Sequence, residues 1–194
     1  MSLLRSILAL ATTSLSLVAA ANVFTLTASL PGNKTFDGQV VNAAGEAFYL
    51  GLEAPATYCP VQAEPCPNVT GTIVSGMTAL WVEVPGGQEI YVAPAGNLGF
   101  TQAHSAYVPP GSYIGGFTNI TTLSDCGPAI SVFNWEAANF TTGGIWACPT
   151  ATNATATYQI FAKTVAFNHT NCVELAGLQP HYQSTNAFGA WEYI

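Results

Sequence analysis

The chain has 194 residues, of which three are basic (Arg5, Lys34 and Lys163) against ten acidic, a formal net charge of −7. Phosphate contacts are made mainly by Lys and Arg, so this balance excludes nucleic acid as a partner and disfavours anionic membrane surfaces. Only 7% of residues are charged while 49% are hydrophobic, and the length is enough to bury a core without help from a metal.

Residues 1–21 read as a secretory signal peptide. Arg5 supplies the basic start, Ile7 to Leu17 the apolar stretch, and Val18-Ala-Ala-Ala21 the small-residue run at which cleavage is expected. The apolar stretch is shorter than the ~20 residues a membrane span requires. Residues 187–194 lack the apolar tail of roughly 10 residues or more that precedes a lipid anchor. The expected product is residues 22–194, a single glycosylated β domain that is released or held in an extracellular matrix.

Strand signals then dominate. Phe24, Leu26, Ala28 and Leu30 alternate with Thr25, Thr27 and Ser29, the period of two that goes with one buried face. The alternation returns at Leu80, Val82 and Val84 around Trp81 and Glu83, and again from Ala156 to Lys163. Shorter β-like runs lie at Ala47–Leu50, Glu89–Ala93, Leu98–Thr101, Tyr113–Phe117, Ile130–Trp135 and Ile145–Ala147. Turn residues such as Pro85-Gly-Gly, Pro94-Ala-Gly, Pro109-Pro-Gly and Thr142-Gly-Gly separate them. No long helix is predicted. The pattern points to an all-β antiparallel sandwich or barrel; a faint threefold repeat makes a β-trefoil the second choice.

Six Asn-x-Thr sequons, at Asn33, Asn68, Asn119, Asn139, Asn153 and Asn168, follow the leader. They are N-glycosylation acceptors, and sugar would supply the solubility that charge does not. Five cysteines in an oxidising compartment favour disulfides over zinc, with several two-bridge connectivities open. Cys59 with Cys66, around a proline-rich loop, and Cys148 with Cys172 are the expected pairs, leaving Cys126 as the candidate free thiol.

Catalytic signals are weak. His104, His169 and His181 are isolated from one another in sequence, so no metal site and no cofactor is expected. No Gly-x-Ser-x-Gly elbow occurs, and Ser105 beside His104 lies in a proline-bounded loop. Two suitably separated carboxylates would suffice for glycoside hydrolysis, with Glu83, Glu89, Asp125 and Glu136 as candidates. Each is more simply a solvent-facing acid, and no catalytic residue is assigned. Most aromatics belong in the core. Trp81 and Tyr91, off the faces of their neighbouring Leu and Val residues, are the expected exposed pair for stacking on sugar rings, with cell-wall polysaccharide the expected partner.

Several segments carry a family resemblance: Ala79-Leu-Trp-Val-Glu-Val, Gln88-Glu-Ile-Tyr-Val, Gly99-Phe-Thr, Trp146-Ala-Cys-Pro, Tyr158-Gln-Ile-Phe-Ala and Cys172. The chain resembles the PhiA-like small secreted cell-wall proteins of filamentous ascomycete fungi, some of which are described as IgE-binding allergens. Cys66 and Cys126 depart from that pattern. The resemblance implies a noncatalytic role in the fungal cell wall or extracellular matrix and brings no active-site residues. The other readings are a small polysaccharide-active enzyme using a carboxylate pair, and a lectin-like carbohydrate-binding module.

Overall fold

A computed structural model describes residues 22–67, 70–124, 127–137, 142–150, 157–183 and 187–194. The proposed leader, Cys126, Asp125 and the sequon asparagines 68, 139 and 153 lie outside these residues.

Sixteen strands follow in chain order: β1 Val23–Ser29, β2 Asn42–Ala44, β3 Ala47–Leu50, β4 Thr57–Tyr58, β5 Val74–Ser75, β6 Ala79–Leu80, β7 Gln88–Val92 and β8 Leu98–Phe100. Then come β9 Tyr113–Ile114, β10 Phe117–Ser124, β11 Gly127–Trp135, β12 Ile145–Pro149, β13 Tyr158–Ala162, β14 Val173–Leu175, β15 Gly177–Tyr182 and β16 Glu192–Tyr193. One three-residue 3-10 turn, Val61–Ala63, is the helical element among the described residues.

The protein is all-β and sandwich-like. Fourteen strands form one antiparallel sheet in the order β10-β11-β15-β1-β5-β6-β7-β8-β3-β13-β12-β14, with β2 on β3 and β9 on β7. It does not close into a barrel, since β10 and β14 end the order without pairing each other. The turn from one half to the other is made at β7. Its first residues pair with β6 (Leu80 opposite Gln88), and its later ones pair with β8 and β9 (Tyr91 opposite Gly99 and Ile114). A strand that serves two sheets in this way forms a corner between layers.

The core is filled from both halves, with Phe24, Leu26, Val74 and Leu178 from one and Phe48, Leu98, Ile145 and Ile160 from the other. Alternation predicts β1 as far as Ala28, with Phe24, Leu26 and Ala28 buried while Thr25 and Thr27 are partly exposed, and breaks at Ser29, which is buried at the strand's end. It fails in β13, where Ile160 and Phe161 are both buried, because Phe167 and His169 fold over the outer face of Phe161. The expected single run from Leu80 to Val84 is a strand only at its start. Val82 instead makes a parallel bridge to Ala190, and the N–H of Val84 donates to the Trp191 carbonyl.

That bridge belongs to an insertion of the C-terminal segment. β16 pairs with β4, Glu192 opposite Tyr58 and Tyr193 opposite Thr57, and Tyr193 is almost wholly buried. The Gln88 side chain, also buried, holds it. Its amide nitrogen donates to the Tyr193 carbonyl at 2.8 Å and the Thr101 carbonyl at 3.0 Å, while its oxygen accepts from the Tyr193 N–H at 2.9 Å. The Tyr193 hydroxyl accepts from the Ile73 N–H at 3.0 Å. Gly189 is required beside it, since a Cβ there would stand 2.3 Å from that hydroxyl.

Both expected disulfides form, Cys59–Cys66 and Cys148–Cys172. The second prolongs the β12–β14 ladder by one position beyond Ala147 opposite Val173. It therefore fastens the edge strand β14 to β12, with β13 on the other side of β12.

Replacing Gln88 by Leu leaves two carbonyls and one N–H buried without partners. At ~1 kcal/mol or more for each group, the expected loss is about 3 kcal/mol, read from the shift of the urea-unfolding midpoint. A loss well under 1 kcal/mol would show that water replaces the amide and that the clamp is dispensable.

Candidate functional site

The loop joining β8 to β9 and the turn joining β6 to β7 rise on either side of a groove of about 680 Å³. The turn is short because Gly86 and Gly87 both take left-handed backbone (φ 93° and 66°), which lets the Gly87 N–H donate to the Val84 carbonyl at 3.0 Å. On the loop side, the Ser105 N–H donates to the Gln102 carbonyl at 3.1 Å and the Tyr107 N–H to the Ser105 Oγ at 3.1 Å. His104 between them has φ 61°, a conformation that costs energy for a residue with a Cβ. The groove wall is small and polar, with Thr78, Gly86, Gly87, Thr101 and Ser105, and Glu89 is its one carboxylate among the described residues.

His104 also lines a second hollow, of about 270 Å³, with Glu46, Gln102, Glu192 and Tyr193. Glu46 reaches it from the β2–β3 hairpin, where Gly45 and Glu46 both have positive φ (55° and 58°), the backbone of a tight two-residue turn. Tyr91 lies close by. Burial raises its phenol pKa above the usual value, and the Glu46 carboxylate and then Tyr107 add to the effect. Tyr107 itself is 67% exposed.

The expected aromatic pair does not form one platform. Tyr91 is buried, 9% exposed, with its ring over Gly99, where an added Cβ would come within 3.0 Å of it; the expectation that it faces solvent is corrected. It lies on the outer side of β7, but β8, β9 and the loop carrying Tyr107 cover it. Trp81 is half-buried and stacks on Phe188, ring centroids 4.9 Å apart. Phe188 comes from the inserted C-terminal segment, whose Gly189 N–H donates to the Trp81 carbonyl at 2.9 Å. Tyr107 was missed because a lone tyrosine between Ala106 and Val108 has no pattern around it.

The three candidate carboxylates among the described residues are not gathered either. Glu83 is exposed, Glu89 is in the groove, and Glu136 lines a separate hollow of about 350 Å³ beside Asn134 and Thr142. Glu46 and Glu192, which do share a hollow, come from the β2–β3 hairpin and from β16, far apart in the chain, and carry no motif. Among the described residues no group of three or more His, Cys, Asp and Glu side chains could hold a metal ion. Of the described sequons, Asn119 and Asn168 are exposed and Asn33 is partly so. Asn33 forms an Asx turn in which its Oδ1 accepts from the Thr35 N–H at 3.0 Å.

Comparison with known proteins gives one consistent answer. The family model described as PhiA-like secreted protein matches residues 24–194. An uncharacterized secreted protein of Arthroderma benhamiae is 39% identical over 179 residues, which is 87% of this chain and 84% of that protein. No solved structure matches.

The floor of the second hollow supplies a pH test. Burial pushes the Tyr193 phenol up to about 12, against the smaller opposing effect of the hydrogen bond from Ile73. The folded state therefore keeps a proton that the unfolded chain loses near pH 10. Stability from this group is complete below pH 10 and lost as pH rises toward 12, by on the order of 2 kcal/mol. Tyr193→Phe should lose that part of the alkaline decline, measured by unfolding at pH 8, 10 and 11.5. Parallel profiles for the two proteins would contradict the assignment.

Proposed function

Because the chain belongs to the family of PhiA-like secreted proteins, we propose that it is a noncatalytic glycoprotein of the fungal cell wall or extracellular matrix. It holds neutral polysaccharide by contact. The observation that carries this reading is a trough of about 680 Å³ with a single carboxylate, Glu89, among its described lining residues, whose wall runs to Ala106, the neighbour in sequence of Tyr107, a tyrosine that is 67% exposed. A sugar ring offers an apolar face to an aromatic and a rim of hydroxyls to polar groups. Tyr107 supplies the first contact, and Thr78, Ser105 and the Glu89 carboxylate supply hydrogen-bonding partners for the second. With a net charge of −7, attraction of acidic polymers is disfavoured. Surface exposure of such a protein is also the condition under which an IgE-binding role would arise.

A second reading has one specific observation in its favour. Glu46 and Glu192 line one hollow with His104, the minimum for acid–base cleavage of a glycosidic bond. Release of reducing sugar by the wild type, abolished by Glu192→Gln, would establish that reading in place of the first.

The contact reading is tested by pull-down on insoluble glucan and chitin with the wild type, Tyr107→Ala and Trp81→Ala. Retention should survive 1 M salt, where exposed charges are screened within ~3 Å. Tyr107→Ala should weaken it about tenfold, the effect of roughly 1.4 kcal/mol of lost stacking. Trp81→Ala should lower thermal stability with a smaller effect on retention. Retention that vanishes in salt, or that ignores Tyr107, counts against the groove.

A further inference from the structure

β10 is the outermost strand at one end of the sheet: β11 pairs along one side of it and, among the described residues, nothing pairs along the other. An edge of eight residues presents a row of unpaired N–H and C=O groups, a template for another strand. Proteins block such edges with lysine, proline, a short strand or a bulge. The β10 sequence, Phe-Thr-Asn-Ile-Thr-Thr-Leu-Ser, contains no charge and no proline, and its register shifts only at the far end, between Thr122 and Ser124. The opposite edge, β14, is three residues long, contains Glu174, and has Cys172 bridged to Cys148 at its start. Among the described residues, the stretch of β10 from Phe117 to Thr122, ahead of that shift, carries none of the usual protections.

What β10 does contain is a sequon in its middle. Asn119 and Thr121 are both exposed, and Thr121 is engaged only laterally, its Oγ1 3.3 Å from Ser131 Oγ on β11. Asn119 shares a face with Phe117, which packs against the core. By Asn119 the hairpin has run past that cover, and from Thr118 to Thr121 every side chain is exposed. We propose that Asn119 carries an N-linked glycan whose role is to block edge-to-edge pairing of β10 with the same strand of a second copy. A bulky hydrated sugar overhanging the strand does what a lysine does elsewhere, in a chain that has only Lys34 and Lys163 beyond the leader. The proposal stands independently of the groove and its ligand.

The test uses the secreted full chain as wild type, Asn119→Gln, Asn119→Lys and Asn168→Gln. Glycopeptide mass spectrometry should find sugar at Asn119 in the wild type. Light scattering at rising concentration should show Asn119→Gln shifting to dimers and larger species, while Asn168→Gln, which loses an acceptor away from β10, stays with the wild type. Asn119→Lys should also stay with the wild type, because a charge on the edge replaces the missing glycan. Should Asn119→Gln not be secreted, trimming of the folded wild type with an endoglycosidase that leaves one N-acetylglucosamine and no new charge must produce the same shift, and Asn119→Lys must resist it. An unmodified Asn119, or Asn119→Gln and Asn168→Gln behaving alike, would overturn the proposal.

Discussion

The buried carboxamide of Gln88 is the point from which the rest of the architecture is held. A primary amide offers two donors and an acceptor with two lone pairs, and here it engages Thr101 at the end of β8 and both backbone groups of Tyr193 in β16. It lies on the first residue of β7, the strand at which the sheet turns from one half to the other. One side chain thus ties the corner of the sandwich to the inserted C-terminal segment. Because each of its partners is buried backbone, the arrangement is stable only when complete, and a partial version leaves polar groups without water.

Both hollows follow from that clamp. Tyr193 floors the smaller one, Glu192 stands beside it on its wall, and Thr101 and Gln88 form part of the larger groove. The loop carrying His104 and Tyr107 starts just past Thr101, so its foot is rigid while its tip is exposed. Rigid scaffold under an exposed loop is the usual disposition of a recognition surface. The C-terminal insertion also explains Trp81: a side chain on the outer face of its run is covered because Phe188 arrives there, 107 residues later in the chain.

Scarce charge shapes the surface in the same way that the clamp shapes the core. Of the two lysines, Lys34 and Lys163, the second lies over the ring of Trp146 with its Nζ 4.9 Å from the ring centre, a cation–π contact. Neither lies on an outer strand, so protection of the sheet edges falls to strand length and disulfide and, as proposed for Asn119, to sugar. A secreted protein can rely on the last two because both are made in the secretory pathway.

By itself, the sequence determined the compartment, the all-β class and the family, because each rests on local or compositional signals. The alternation from Phe24 to Ala28 records a strand with one buried face, whereas the cysteine pairing, one of several open from the sequence, is decided by the ladder that sets Cys148 beside Cys172. The sequence did not disclose β15, where Pro180 interrupts the pattern; the proline is tolerated because pairing with β11 is confined to Leu178, and beyond it only β1 is opposite. Nor did it disclose β10, whose threonines and sequon resemble a loop, or that Tyr91 is buried and Tyr107 exposed. Exposure of an aromatic depends on which distant segment covers it. Gln88, Glu46, Glu192 and Tyr107 carry no motif, and only the threading of the last residues beside β4 and the stretch after β6 brings them to one end of the molecule. Contacts of the C-terminal segment span as much as 120 residues of chain from Ile73 to Tyr193 and more from Gly45 to Ile194, separations over which no local pattern of side chains can specify a neighbour.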